Sequence, residues 1–243
     1  MPYIKEICKA GKTIEIRKYF TYGAHPKGEK RKKRKNESPD RVKRANQRNA
    51  SRKLRRLMNH NFQDGDYLVR MDFCAKPKGS EEMQKEMQNF IRRLRTRFKK
   101  ADMPLKYIYV KEVGAKGSRH IHMMMNKCEI EWIRSCWKAG AIHIDPLYSD
   151  GQYAKIADYF IKYAEKTEMT EGQLIGKRWY ASQNLLEPKV TKTKMAAGRF
   201  SKTINEPKGY YLDKSSISEG VSELTGFEYF SYTFIRLNEK RGG

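Results

Sequence analysis

Between Ser80 and Lys100, the apolar residues Met83, Met87, Phe90, Ile91, Leu94 and Phe98 recur at helical intervals. Ser80 suits an N-cap, and Glu81 and Glu82 put negative charge in the first turn, where the helix dipole favours it. A helix with one apolar stripe must cover a partner surface. The neighbouring segments supply one. Asp66–Phe73 (DYLVRMDF) and Pro104–Gly114 (PLKYIYVKEVG) read as strands, and Ser118–Asn126 (SRHIHMMMN) as a third after a glycine-containing turn. Glu129–Gly140 reads as a short helix ending at its glycine. Ala141–Tyr148 reads as a fourth strand and Asp150–Thr167 as a last helix. The order β-α-β-β-α-β-α predicts an α+β fold: an antiparallel sheet in a split βαβ (ferredoxin-like, RRM-like) arrangement, with helices on one face.

Outside this block the signals are sparser. Lys12–Phe20 alternates as a strand does, and Phe227–Leu237 reads as strand. Lys27–Arg56 holds fifteen Lys/Arg against three acids, a net +12 and half of the chain's formal +24. Its first part, with Gly28 and Pro39, reads as flexible, and its second, Asp40–Met58, as a basic helix with a thin apolar stripe. The division expected is 1–60, an N-terminal strand and basic arm; 61–170, the core; and 171–243, a C-terminal extension packing on it. Arg31, Lys32, Lys33, Arg34, Lys35, Arg52, Lys53, Arg55 and Arg56 are the expected DNA-binding residues of the arm, since each phosphate they neutralise releases counterions. A solvated arm without a ligand is the plainer alternative.

The charge points to polyanions. Membrane binding fits less well, because no apolar run approaches the ~20 residues of a spanning helix, and no signal-peptide segment opens the chain. Cys8, Cys74, Cys128 and Cys136 lie scattered without CxxC spacing and read as cytosolic thiols. Gly11–Thr13 (GKT) has Glu6 where a phosphate loop requires glycine, which argues against a nucleotide cofactor.

His120 and His122 stand one residue apart on a predicted strand, so they share a face. Glu112 on the preceding strand joins them if an odd turn, such as Gly114–Ser118, sets the register; an even turn sends it to the other face. Two imidazoles and a carboxylate leave open metal positions. Ligand type alone also allows a non-haem iron centre. On the last helix, Ile156, Ala157, Phe160, Ile161 and Ala164 form the buried stripe with Tyr153 inside it. Tyr163 falls at its edge and Tyr159 beyond, beside Lys155, Lys162 and Lys166. Nearby lysines or a metal favour a tyrosine phenolate, a potential nucleophile.

RHIHMMM, with Glu112 upstream and YFIKYAEK downstream, resembles the HUH endonuclease superfamily, and the doubled Tyr-x-x-Lys resembles its two-tyrosine branch of phage and plasmid rolling-circle replication initiators. The resemblance spans Tyr67–Lys166; Lys177–Pro188 is also similar, less specifically, to segments of phage and plasmid replication proteins. It implies an HUH core at 61–170 in which Glu112, His120 and His122 hold Mg²⁺ or Mn²⁺. Tyr159 or Tyr163 attacks single-stranded DNA at a replication origin, leaving a 5′-phosphotyrosine and a 3′-OH, and Lys162 and Lys166 steady phosphate or phenolate. A host helicase and polymerase act beside it in the bacterial cytoplasm. VRMDF departs from the small hydroxyl residues of many relatives, so Asp72 has no assigned role, and His143 is a substitute ligand or a structural residue. The competing readings are a relaxase or single-strand transposase, a non-catalytic binder using Tyr107 and Tyr109 as stacking platforms, and a zinc hydrolase unrelated to DNA.

Overall fold

The computed structural model describes residues 3–21, 40–74, 79–114, 117–171, 177–195 and 200–237. Arg31, Lys32, Lys33, Arg34 and Lys35 lie outside these residues. The elements begin with β1 (Tyr3–Ala10), β2 (Thr13–Phe20), α1 (Asp40–Asn61), β3 (Tyr67–Asp72), α2 (Ser80–Lys100), β4 (Tyr107–Val113) and β5 (Arg119–Met125). There follow α3 (Ile130–Cys136), β6 (Ile142–Pro146), α4 (Ala154–Glu171), β7 (Tyr180–Ala181), β8 (Lys189–Lys194), β9 (Tyr210–Val221) and β10 (Glu228–Arg236). Two five-stranded antiparallel sheets result, which with the four helices make an α+β fold. None of the helices is long and apolar enough to cross a membrane.

Where the local signals mark three consecutive segments, the packing groups the chain into two units: Met1–Ala50 with Pro188–Gly243, and Ser51–Glu187. The first holds the sheet β8-β1-β2-β10-β9. The β1–β2 hairpin turns at Gly11, whose φ of 56° suits a residue without Cβ. Phe230, Tyr232 and Phe234 of β10 form its buried cluster, with Ile14 and Ile16 of β2 packed against them.

The second unit holds β6-β3-β5-β4-β7. Its elements β3-α2-β4-β5-α3-β6-α4 follow the order read from the sequence. All six stripe residues of α2 are buried, against Val69 and Met71 of β3, Tyr107 and Tyr109 of β4, and Ile121, Met123 and Met125 of β5. These strand residues alternate, so they share one face of the sheet. α3 contributes Ile133 and Cys136 to the same core. The opposite face carries Arg70 and Asp72, Val110 and Glu112, and His120 and His122. α4 lies against this second face, with Tyr163 stacked on His122, whereas the sequence reading placed the helices together on one. The histidine face is partly apolar at Ile108, Val110 and Met124, all fully buried, and needs the Ala157, Phe160, Ile161 and Ala164 stripe that α4 brings.

α3 stops at Cys136 and does not run to Gly140. Trp137 adopts extended backbone, its ring packs edge-on against Phe73 and Phe90, and its Nε1–H donates to the Asp72 carbonyl at 3.2 Å. Gly140 serves a different purpose from a helix terminator. A Cβ there would stand 2.3 Å from the Asp72 carbonyl oxygen and 2.7 Å from the Cys74 nitrogen, backbone atoms that cannot rotate aside. The Gly140→Ala variant is therefore expected to lose about 1–3 kcal/mol, as overpacked sites do. Urea unfolding of variant and parent measures this, and an unchanged midpoint would show that the strand end yields.

Candidate active site

The β4–β5 register pairs Glu112 with His120, across a five-residue connection from Gly114 to Ser118. Of the two turn parities the sequence left open, the odd one is present, and carboxylate and imidazoles share a face. Glu112 Oε2 lies 2.8 Å from His122 Nε2, and Lys166 Nζ donates to Glu112 Oε1 at 2.7 Å. The hydrogen bond with His122, assisted by Lys166, outweighs the opposing effect of burial and holds the Glu112 carboxyl down at about 2.

His120 turns the other way. Its Nδ1 stands 2.6 Å from Oδ1 of Asp72, its cross-strand neighbour on β3. Asp72 also accepts from Arg70 Nε at 2.9 Å, and His143 Nε2, half-exposed on β6, lies 3.4 Å from its Oδ2. Burial raises the Asp72 carboxyl, but the His120 and Arg70 hydrogen bonds prevail and hold it below the ordinary carboxylate range. Asp72 is thus part of the site, although its sequence context assigned it no role. The available signal was parity: Arg70 and Asp72 alternate in step with one face of β3, but which face needs the β3–β5 register.

α4 is held at both ends. Asn59 Oδ1 accepts the Tyr153 backbone N–H at 2.9 Å, and the Thr167 hydroxyl oxygen accepts the Val113 N–H at 3.0 Å. Thr167 Oγ1 also lies 3.0 Å from the Lys111 carbonyl, which fixes α4 beside Glu112. Along the helix, Tyr163 stacks on His122, with centroids 4.1 Å apart and planes 13° apart, and Tyr159 stacks on Tyr163 at 6.3 Å. His122, Tyr163 and Tyr159 form a column running outward, and Tyr159 is 55% exposed.

The lysines do not favour a Tyr163 phenolate overall. Burial first, then the Glu112 and Tyr159 charges, push its hydroxyl above its ordinary range despite Lys166 and Arg70. Lys166 is committed to Glu112. Lys162 is exposed, and no hydrogen bond or ion pair joins it to these groups. Among the described residues, no three His, Cys, Asp or Glu side chains converge as a ready-made metal cage. Glu112, His120 and His122 are brought to one face, but as parts of two imidazole–carboxylate pairs. On α1, Leu54, Leu57 and Met58 form the thin buried stripe, with Lys53 exposed and Arg52, Arg55 and Arg56 half-buried.

Residues 67–168 match the family model described as replication-associated protein ORF2/G2P. The span runs from the start of β3 into the last turn of α4 and includes Arg70, Asp72, Glu112, His120, His122, His143, Tyr159, Tyr163 and Lys166. The match supports a role in DNA replication. No curated protein sequence and no solved structure matches the chain.

The Glu112 environment fixes a pH dependence. A carboxyl lowered from 4.5 to about 2 stabilises the fold fully above pH ~4.5, and that contribution disappears as pH falls toward 2. Stability measured by urea unfolding across this window should fall by up to about 3 kcal/mol in the parent. The Glu112→Gln variant should lack that component; equal slopes in both would contradict the pairing.

Proposed function

We propose that this chain initiates rolling-circle replication by nicking and rejoining single-stranded DNA through a tyrosine of α4. The observation that supports this reading most directly is the column His122–Tyr163–Tyr159 beside two imidazole–carboxylate pairs. A structural histidine needs no tyrosine column reaching solvent, whereas transfer of a strand needs an accessible tyrosine beside the imidazole–carboxylate pairs. The family match inclines the reading to replication over conjugative transfer or transposition, which share the chemistry.

The carboxylate and two imidazoles brought to one face are a donor set that can take a divalent ion, which the resemblance implies is Mg²⁺ or Mn²⁺. Glu112, His120 and His122 would hold the ion. Asp72, bonded to His120 Nδ1, orients that ring and leaves its Nε2 for the ion, as outer-shell carboxylates do for ligating histidines. The chemistry a bound ion would supply there is polarisation of a phosphodiester and neutralisation of its charge.

The remaining work falls to side chains. Burial raises the Tyr163 hydroxyl above its ordinary range, so its proton leaves as its oxygen attacks phosphorus. The new bond is tyrosine oxygen to phosphorus, the broken one is phosphorus to the 3′-oxygen, and the departing 3′-oxygen takes up a proton to become the hydroxyl. The products are a 5′-phosphotyrosine and a 3′-OH that primes a polymerase or reverses the step. Tyr159, one turn away and exposed, receives the second strand while Tyr163 holds the first, or the two exchange these roles. Lys162, exposed on α4, and the basic residues of α1 neutralise the strand's phosphates. Unwinding is left to a host helicase.

Incubating the protein with labelled single-stranded DNA from its own candidate origin and Mn²⁺ should give an adduct stable on a denaturing gel. EDTA or the Tyr159→Phe/Tyr163→Phe variant should abolish it. Tight binding without any adduct would instead favour a non-catalytic single-strand binder. The role given to Asp72 has its own readout: Asp72→Asn should weaken Mn²⁺ binding about 10- to 100-fold in a calorimetric titration. Unaltered Mn²⁺ affinity would reduce Asp72 to a structural residue.

A further inference from the structure

On the reverse face of the same sheet, a cleft of about 330 Å³ opens between α2 and the edge formed by β4 and β7. Its size falls at the lower end of ligand-binding clefts. α2 contributes Gln84, Gln88, Arg92 and Arg95, one helical stripe beside the buried one. Tyr107 and Tyr109 of β4 form the floor, and Tyr180 of β7 stacks on Tyr109 with centroids 4.9 Å apart and planes within 8°. Lys177 closes the rim, and Lys111 Nζ sits 5.2 Å from the Tyr180 ring centre. Tyr107, Tyr109 and Lys111 alternate with Glu112, so the cleft is separated from the histidine–tyrosine site by the thickness of the sheet.

The lining selects its ligand by chemistry. It includes two arginines and a lysine and no carboxylate, so it favours an anion. Arg92, Arg95 and Lys177 are exposed, and among the described residues no salt bridge ties them to a carboxylate. Tyr109 is completed by Gln84, with 3.0 Å between Gln84 Nε2 and its hydroxyl, and serves as a fixed backing for the Tyr180 ring. Gln88, exposed at the mouth, has both amide functions with which to meet a base edge. Phosphate on guanidinium groups with a base on an aromatic ring is how single strands are held without sequence readout.

We propose that this cleft is a second single-stranded DNA subsite. It seats one nucleotide unit, with its phosphate on Arg92, Arg95 and Lys177 and its base against Tyr180. The proposal requires strand binding alone and does not depend on the nicking chemistry.

The test uses the Tyr159→Phe/Tyr163→Phe chain in EDTA, so that no covalent capture contributes. An iododeoxyuridine-substituted thymidine oligonucleotide is photocrosslinked to it and the adduct mapped by mass spectrometry. Crosslinks on Tyr180 or Tyr107 are expected. Adding Arg92→Ala and Arg95→Ala should lower affinity at least tenfold and reduce the slope of log K against log salt by roughly 0.7, the share of the one phosphate no longer neutralised. Both arginines are exposed, so thermal unfolding should be unchanged, and the crosslink map of the arginine-intact chain stands whatever the variant does. Crosslinks confined to other segments, or an unchanged salt slope, would overturn the proposal. So would thymidine monophosphate competing as well as the oligonucleotide, which would make the cleft a free-nucleotide pocket.

Discussion

Side chains on a strand alternate between faces, so a one-residue slip between β4 and β5 would carry Glu112 into the α2 core and away from both histidines. The register that prevents this is held from two sides. The five-residue turn sets it locally, and the apolar alternation of both strands enforces it, since Ile121, Met123 and Met125 fill one face and Met124 the other. β3 then adds Asp72 opposite His120 through a second register. Four strands, β3 to β6, and one helix place the imidazoles, carboxylates and tyrosines of the site, and the strand pairings come before any question of chemistry.

Burial in a strongly basic chain shapes the electrostatics. A carboxylate removed from water requires partners. Glu112 is bracketed by His122 and Lys166, and Asp72 by His120, Arg70 and His143. These pairings keep both carboxylates ionised and orient both imidazoles. Beside them, burial first and the Glu112 charge second raise the Tyr163 hydroxyl above its ordinary range. Glu6 of the other unit repeats the pattern, with Arg17, Lys192 and the Tyr19 hydroxyl around its buried carboxylate.

Features with a short period were legible in the sequence. The α2 stripe, the shared face of His120 and His122, and the position of Tyr159 outside the α4 stripe follow from helical and strand spacing alone. Partnerships across non-consecutive elements were not. Asp72 meets His120 only because β3 and β5 are neighbours, although α2 and β4 separate them in the chain. The pairing of β10 with β2 joins the two ends of the chain, and no local pattern announces it. Gly140 read as a helix terminator because its use, close approach to the backbone at Asp72, is tertiary. Tyr180 lies on a strand of two residues, too short for any periodicity to mark.

The central claim, transfer of a DNA strand to a tyrosine of α4, is tested most directly by locating the linkage. Cleavage after Lys155, Lys162 and Lys166 separates the peptide carrying Tyr159 from the one carrying Tyr163. After reaction with single-stranded origin DNA and nuclease trimming, mass spectrometry should find a 5′-phosphonucleotide remnant on one or both of these peptides. A remnant only on residues outside α4, or none on a protein that cleaves the DNA, would contradict the account.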